Sequence, residues 1–599
     1  MSHKRIFLLF ASFAALRADE GMWLFEQFPA ELVAKKYGVK VTPAFLDSMR
    51  LASVRFNSGG SGSIVSPRGL VFTNHHVAAD CIGKVSSPQS DYMASGFIAR
   101  READEKACPD EEINILVRIE DVTAKVQGAA PEGTSLAETS KLQKAEMTRL
   151  ERDCGTRSGN RCDVVTLFSG GRYGLYEYKK YTDVRLVLAP EYGIAAFGGD
   201  PDNFTYPRYC LDFAFFRLYE NGKPAATPGH LKWSKSGARD KELAFVPGHP
   251  ANTGRLDTVA QLEYQRDVAL PRTLGFLDRM IAALKVFEKS DAEAKRLSAE
   301  QLQSYQNSYK ALSGFLDGLK DPELMKRKSD EERRLRAAIG DDPAKKAKFG
   351  EIWDKIAQAA AIQREIGARL TSFENLPTNS DLFLQARRAI RYAEERSKPD
   401  SERLRPYVTP ALPAMEQQMY STAPIDDRME TVKLTVVLDE MRRLMGADDP
   451  VVKEALGGRA PAEAAAFYVA NTKIKEVAFR KQIAGDVQQA RDSTDAMVKL
   501  ARLLDGPGRQ VRKTNDESVD PILTANAGKI AQARLAVYGA NDYPDASFTL
   551  RVSFGDIRGY RLPSGKQIPW ATNFAGLYER ATGKDPYALP QSWIKARIN

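Results

Sequence analysis

The sequence predicts a β domain that is interrupted by a large all-α insertion. Three observations along the chain support this fold class. In residues 19–271, short apolar runs alternate with Gly, Pro and Asn, which is typical of strands and turns. In residues 272–541 the hydrophobic period becomes helical, and in residues 542–599 the strand pattern returns. We therefore expect one β domain in two chain segments, with a helical domain between them.

A signal peptide is predicted at the N-terminus. Lys4 and Arg5 precede an apolar run over residues 6–16, and the small residue Ala18 follows it. This order of charge, apolar run and small residue is typical of a secretory signal. We expect residues 1–18 to be removed and the mature protein to be exported.

Composition narrows the function classes. The 599 residues are 43% hydrophobic and 28% charged, which is typical of a globular protein. The formal net charge is +9, but no polybasic tract is present, so no nucleic-acid partner is predicted. After the signal peptide no apolar run is long enough for a membrane span.

The β segments contain short apolar runs that predict strands. They lie at residues 183–188, 194–197, 211–219, 243–247, 548–552 and 559–562. The insertion instead repeats apolar residues at helical spacing, at Leu302, Tyr305, Tyr309, Leu312, Leu316 and Leu319. No fixed-period repeat is evident, which favours an irregular helical domain over a solenoid.

A predicted hairpin precedes two adjacent histidines. Small residues lead into a short strand over residues 64–65, a turn follows over residues 67–69, and a second strand covers residues 70–72. His75 and His76 follow directly after that strand. A chymotrypsin-like protease presents its general base in the same way, at the end of a strand. The chain has five histidines in all, so few imidazoles are available for proton transfer near neutral pH.

Asp212 is a carboxylate within the predicted apolar strand 211–219, and an acid in such a place usually has a partner. One hypothesis is that it orients a catalytic histidine and stabilises the imidazolium. The other is an ion pair with Arg217. The local pattern leaves both open.

Five cysteines in an exported chain indicate at least one disulfide. Cys154 and Cys162 flank a polar loop and could close it, and Cys81 could pair with Cys108, which would leave Cys210 free. The sequence leaves the pairing open. No paired CxxC or HExxH spacing occurs, so neither a metal site nor a cofactor is predicted.

Several motifs in order resemble the bacterial dipeptidyl peptidases of types seven and eleven, which are serine exopeptidases of the chymotrypsin clan. The motifs lie at residues 19–23, 62–63, 73–76, 197–203, 206–208 and 212–213. The resemblance implies a chymotrypsin-like double β-barrel with an inserted all-α cap domain. It also implies release of dipeptides from peptides with a free N-terminus.

The resemblance assigns roles residue by residue. His76 matches the general base and Asp212 the acid that orients it, whereas His75 is expected to serve packing. Asn203 matches the asparagine that binds the substrate's α-amino group, beside Phe204 where many relatives have tryptophan. Asn307 matches a second amine-binding asparagine, from the helical domain.

The nucleophile is the main departure from the family pattern. The family's catalytic serine lies in a Gly-Asn-Ser-Gly-Ser-Pro motif, and no such motif occurs before Asn599. We therefore expect a chain that is truncated before the serine, with an incomplete second barrel and no activity as given. Ser61 reads as part of a strand and Ser564 as part of a turn.

Three functional hypotheses remain from the sequence. The first is an exported serine dipeptidyl aminopeptidase whose nucleophile is missing from this chain. The second is a non-catalytic peptide-binding relative that retains the pocket for the N-terminal amine. The third is an extracytoplasmic helical scaffold with a decayed barrel. The oligomeric state, including a homodimer, is open.

Overall fold

The computed structural model describes residues 20–538 and 543–598. The predicted signal peptide, residues 1–18, lies outside the described residues. The strands in chain order are β1 Ser53–Phe56, β2 Ser61–Ile64, β3 Leu70–Thr73, β4 Phe97–Ile98, β5 Lys106–Ala107, β6 Ile113–Asp121, β7 Arg161–Leu167, β8 Arg172–Tyr181, β9 Asp183–Ala189, β10 Ala214–Glu220, β11 Lys223–Pro224, β12 Leu243–Gly248, β13 Arg551–Asp556, β14 Tyr560–Arg561 and β15 Gln567–Ile568.

Most of these strands form one antiparallel sheet in the order β4-β9-β10-β3-β2-β1-β6-β8-β7, with β5 on β9 and β11 on β10. The mixed β and α fold of the sequence prediction is confirmed, but the double barrel is not. Within residues 20–538 and 543–598 the two end strands, β4 and β7, do not pair with each other, and β12–β13 and β14–β15 are separate two-stranded ribbons. The described sheet is therefore open.

The sheet packs over a large buried apolar cluster. Its core includes Phe56, Val71, Leu186 and Phe216, all without measurable exposure. Burial of such side chains stabilises the folded state by about 1.5–3 kcal/mol each. Strands β3 and β10, which flank the two candidate catalytic residues, are thereby held in the middle of a packed layer.

Strands β12 and β13 join chain segments from opposite sides of the helical region. Phe245 of β12 pairs with Phe554 of β13, and Trp23 near the start of the described chain bridges to Val552. The chain thus returns beside the strand from which it left. The domain limits at 271/272 and 541/542 stay predictions, and residues 539–542 lie outside the described part.

The helices in chain order are α1 Ala30–Tyr37, α2 Pro43–Ala52, α3 His75–Val85, α4 Tyr92–Ser95, α5 Thr123–Gln127, α6 Leu136–Ser158, α7 Tyr192–Ala195, α8 Gly199–Asp202, α9 Val259–Tyr264, α10 Leu270–Phe287, α11 Ala292–Lys320, α12 Pro322–Gly340, α13 Pro343–Phe349, α14 Ile352–Leu370, α15 Asp381–Arg396, α16 Leu412–Met419, α17 Asp427–Met445, α18 Pro450–Leu456, α19 Pro461–Ala470, α20 Val477–Gly485, α21 Val487–Asp492, α22 Ala496–Ser518, α23 Asp520–Tyr538, α24 Phe574–Arg580 and α25 Gln591–Ile598. In residues 20–538 and 543–598, no helix combines the length and the apolarity that crossing a bilayer requires.

The helical region has its own core. Met280 of α10, Phe383 of α15, Leu434 of α17 and Leu500 of α22 belong to one buried cluster. Helix α11 packs on α10 and continues to the β sheet side, where it meets α3 and α8. This position matters because α11 carries Asn307.

Two predicted strands differ in the structure. Residues 194–197 lie partly in the short helix α7, since an apolar run of four residues does not distinguish a strand from a helical turn. The strand predicted at 548–552 begins only at Arg551, because Phe548 has a left-handed φ of 56° that interrupts the extended backbone.

Two disulfides lie in the β region. Cys81 bonds to Cys108 with the Cα atoms 5.3 Å apart, and Cys154 bonds to Cys162 with the Cα atoms 6.1 Å apart. Cys210 is a free, partly buried thiol. These are the pairs that the sequence suggested.

The two disulfides are expected to differ in their effect on stability. The first spans 27 residues and the second 8. Loop closure in the unfolded chain therefore predicts a loss of about 3.6 kcal/mol for the Cys81→Ala/Cys108→Ala variant and about 2.5 kcal/mol for Cys154→Ala/Cys162→Ala. Urea unfolding of both variants measures the difference. A larger loss for the short loop would contradict this entropic account.

Candidate active site

The predicted hairpin places the two histidines at the start of a helix. Strands β2 and β3 are antiparallel, with Gly62 opposite Thr73 and Ile64 opposite Val71. Strand β3 ends at Thr73 and α3 begins at His75, so both imidazoles lie on its first turn. The turn sends them in different directions: the His76 side chain is 54% exposed, whereas His75 is 2% exposed.

His76 and Asp212 form a close pair. The Nδ1 atom of His76 lies 2.7 Å from Oδ2 of Asp212, and the backbone N–H of His76 donates to Oδ1 at 3.0 Å. Asp212 lies just before β10, which begins at Ala214, so its predicted place inside the strand is wrong. Arg217 pairs with Glu105 instead, which removes the predicted alternative of an ion pair with Asp212.

This geometry fixes the protonation pattern of the imidazole. A carboxylate accepts hydrogen bonds, so Nδ1 carries the proton and Nε2 is left as the acceptor. Burial raises the pKa of Asp212, but the hydrogen bond from His76 and the charge of His76 outweigh burial and hold the pKa below its ordinary value. Asp212 is therefore ionised at neutral pH and can accept the hydrogen bond from Nδ1 of His76.

Asn74, which lies in the family motif at residues 73–76, also contacts Asp212. Its Nδ2 donates to the backbone carbonyl of Asp212 at 3.0 Å and lies 3.4 Å from Oδ2 of Asp212. The carboxylate is thus held from β3 as well as from α3. The only sequence signal was its place directly before the histidines.

His75 is buried against the segment that follows β9. Burial lowers the pKa of His75 to about 4, and the carbonyl of Pro190 is a backbone partner of its ring. Its Nε2 is buried and has no hydrogen-bond partner in the described part of the chain. This placement agrees with the packing role that was expected of it.

The free energy of unfolding is expected to decrease as the pH is lowered from 6.5 to 4, because His75 is buried in its uncharged form. Its folded pKa lies below the ordinary value of 6.5, so between pH 6.5 and pH 4 the unfolded chain binds a proton that the folded chain does not. The contribution is complete above pH 6.5 and is lost as the pH falls towards 4. Urea unfolding from pH 7 to pH 4 should show a shallower decline for His75→Gln, with the partly buried His230→Gln as control. Parallel declines for wild type and His75→Gln would refute this.

The two predicted amine-binding residues meet across the boundary between sheet and helices. Nδ2 of Asn203 donates to Oδ1 of Asn307 on α11 at 3.0 Å. Asn203 directly follows α8, and the same segment continues to Asp212. Phe204, the third predicted residue, is 64% exposed and has a left-handed φ of 57°. Its ring is therefore free to contact a ligand.

The loop that carries Asn203 is held from two sides. Asp202 is buried and accepts hydrogen bonds from Arg580 and, at 2.9 Å, from the Tyr587 hydroxyl. From the other side, the ammonium of Lys310 on α11 donates to the backbone carbonyl of Asp200. A buried carboxylate with such partners fixes the backbone next to Asn203.

A cavity of about 470 Å³ lies beside Asp212, between the β2–β3 hairpin and the β12–β13 ribbon. Ser61 lines it, but the Ser61 hydroxyl accepts from the backbone N–H of His249 at 2.8 Å and lies 3.4 Å from Nδ1 of that ring. Ser61 thus connects the β2–β3 hairpin to the segment after β12. It lies in strand β2, as predicted. A larger cavity of about 1060 Å³ lies among α19–α22 and contains none of the predicted site residues.

The described residues place no serine beside the His76–Asp212 pair. Within residues 20–538 and 543–598, no serine hydroxyl lies within hydrogen-bond distance of the His76 ring. The same part of the chain contains no cluster of three His, Cys, Asp or Glu residues that could hold a metal ion.

Relatives with known names share this chain's sequence over nearly its full length. The Asp/Glu-specific dipeptidyl-peptidase of Shewanella putrefaciens is 27% identical, over 97% of this chain and 81% of the relative. Dipeptidyl-peptidase 7 of Capnocytophaga gingivalis is 25% identical, over 99% of this chain and 86% of the relative.

A solved structure has the same fold. Porphyromonas endodontalis DPP11 in complex with the dipeptide Arg-Glu superposes with a TM-score of 0.78 at 22% identity, over 97% of this chain and 86% of that chain. The family described as Peptidase S46 matches residues 18–599. Because that match spans nearly the whole sequence, the chain belongs to the peptidase S46 family.

Proposed function

We propose that this protein is an exported serine-type dipeptidyl aminopeptidase that releases dipeptides from peptide N-termini. The observation that carries the proposal is that the hydrogen-bonded amides of Asn203 and Asn307 occur together with the His76–Asp212 pair, with Asn203 on the chain segment that leads to Asp212. The names of the relatives in this family, which are dipeptidyl peptidases, support it further. The chymotrypsin-like double barrel is part of the same proposal.

In the proposed reaction, Nε2 of His76 takes the proton of a serine hydroxyl as the serine oxygen attacks the second peptide bond of the substrate. Asp212 stabilises the imidazolium that forms. His76 then returns the proton to the leaving amine, and water hydrolyses the acyl-enzyme by the same base. The dipeptide leaves with its new carboxylate.

The amide pair would set where the substrate is cut. A free α-ammonium held at Asn203 and Asn307 fixes the substrate's first residue, and Phe204 offers an exposed ring beside it. Helix α11, which carries Asn307, would block space for longer N-terminal extensions at this end of the binding site. These constraints turn a protease scaffold into an exopeptidase.

We further propose that the nucleophilic serine is missing from the 599 residues of this chain. Since no described serine contacts His76, the 599-residue chain alone is expected to be inactive. A fluorophosphonate probe tests this: the protein from its native host is expected to be labelled, and the 599-residue chain is not. Labelling of the 599-residue chain at Ser61 would overturn the assignment of the nucleophile.

One alternative function has a specific observation in its favour. The lack of a described nucleophile fits a peptide-binding relative that keeps the amine pocket and has no turnover. This alternative predicts that the protein from its native host, too, binds peptides with a free N-terminus but resists the fluorophosphonate probe.

Export of the protein is part of the proposal. The predicted signal peptide and the two disulfides both favour an oxidising compartment, the periplasm or the exterior. Peptides with a free N-terminus are the proposed partners. A homodimer stays a prediction.

A further inference from the structure

The side chain of Asn203 has three hydrogen-bond partners that together define its orientation. Its Oδ1 accepts from the guanidinium Nη1 of Arg208 at 3.1 Å and from the backbone N–H of Phe204 at 3.2 Å. Its Nδ2 donates to Oδ1 of Asn307 at 3.0 Å. Both ends of the amide are therefore engaged.

Arg208 determines the orientation of the Asn203 amide, with Oδ1 towards the guanidinium and Nδ2 towards Asn307. A guanidinium has five N–H donors and no acceptor, so it can face only the oxygen of an amide. A flipped Asn203 would set its NH2 group against two donors and lose both bonds. Within residues 20–538 and 543–598, no carboxylate lies within ion-pair distance of Arg208, and its Nε is buried without a partner. In the described residues, the side-chain partner of Arg208 is therefore Asn203.

The orientation of Asn203 decides which amide oxygen can accept a hydrogen bond from a ligand. An ammonium carries three donors and needs oxygen acceptors. Oδ1 of Asn203 already receives two hydrogen bonds, whereas Oδ1 of Asn307 receives one and keeps a second lone pair. Asn307 is an exposed residue, so this lone pair is open to a ligand.

We propose that Arg208 is a positioning residue for N-terminal recognition: it locks the Asn203 amide so that Oδ1 of Asn307 remains the acceptor for the substrate's α-ammonium. This inference rests on the proposed function, because it assumes that the amide pair binds a free N-terminus. Arg208 itself acts through Asn203.

The test is a titration of the 599-residue chain with one hexapeptide in two forms, with a free and with an acetylated N-terminus. Wild type is expected to prefer the free form by about tenfold or more. Arg208→Met is expected to remove most of that preference by weakening only the free form. Arg208→Lys, which still donates to Oδ1, is expected to retain most of it.

A double-variant comparison separates positioning from a merely structural role. Asn203→Asp has two acceptor oxygens, so its orientation no longer depends on a donor. In that background Arg208→Met is expected to leave the preference for the free form unchanged or higher. An equal loss in both backgrounds would overturn the inference.

Binding by Asn307→Asp and by wild type gives two further tests. If Arg208→Met does not fold, Asn307→Asp tests the acceptor directly, because an added carboxylate oxygen at residue 307 is expected to strengthen binding of the free form only; no gain would overturn the inference. A wild type that binds both peptide forms equally would contradict amine recognition in the proposed function, and the inference with it. A clear wild-type preference that Arg208→Met leaves intact would overturn the inference alone.

Discussion

Replacement of Asp212 by Asn is expected to lower kcat of the active enzyme by about ten-thousand-fold. The Asp212 carboxylate accepts the Nδ1 proton of His76 at 2.7 Å and the backbone N–H of His76 at 3.0 Å. An amide in its place can set its NH2 group against Nδ1, which moves the ring proton to Nε2 and removes the base. The negative charge that stabilises the imidazolium is lost as well.

Steady-state kinetics on a fluorogenic dipeptide substrate measure this loss. The effect should fall on kcat and leave KM nearly unchanged, because Asp212 acts on the substrate only through His76. Asp183→Asn is the matched control, since Asp183 forms a surface ion pair with Arg185 on β9, and such pairs contribute little. A loss below about a hundredfold would show that His76 does not depend on Asp212 as this geometry requires.

The second large effect is expected at the amine pocket. Asn307→Leu removes the open acceptor oxygen while keeping a good helix former in α11. A hydrogen bond to a charged group contributes about 1.5–3 kcal/mol, so kcat/KM for peptides with a free N-terminus should fall about ten- to hundredfold. The loss should disappear for N-acetylated peptides, which lack the ammonium.

Kinetics on paired free and acetylated peptides measure the second effect. Ser304→Ala serves as the control, because Ser304 is an exposed residue one turn earlier on the same helix. A uniform fall for both peptide forms would indicate that Asn307 supports α11 rather than the substrate.

The local sequence pattern left the role of Asp212 open between two hypotheses, and the contacts His76–Asp212 and Asn203–Asn307 were indicated only by the family motifs. His76 and Asp212 are 136 positions apart, and Asn203 and Asn307 are 104 apart. No local period or turn signal predicts contacts over such distances. The hairpin before His76, in contrast, follows from local chemistry, because its small residues, turn and apolar strands are visible in the sequence.

Other parts of the site had no usable signal in a single sequence. Asn74 and Arg208 lie in the family motifs, but their partners depend on how β3, β10 and α8 pack. The contact of Arg580 with Asp202 joins residues that are 378 positions apart. The error at residues 194–197 has a different cause, since apolarity alone does not separate a short strand from the turn of α7.

The central claim is that this protein removes dipeptides from free peptide N-termini. The most direct measurement is mass spectrometry of a decapeptide incubated with the protein from its native host, once with a free and once with an acetylated N-terminus. The account predicts sequential loss of N-terminal dipeptides from the free form and none from the acetylated form. Single amino acids, internal fragments or equal cleavage of both forms would contradict it, as would an intact free peptide that is nonetheless bound.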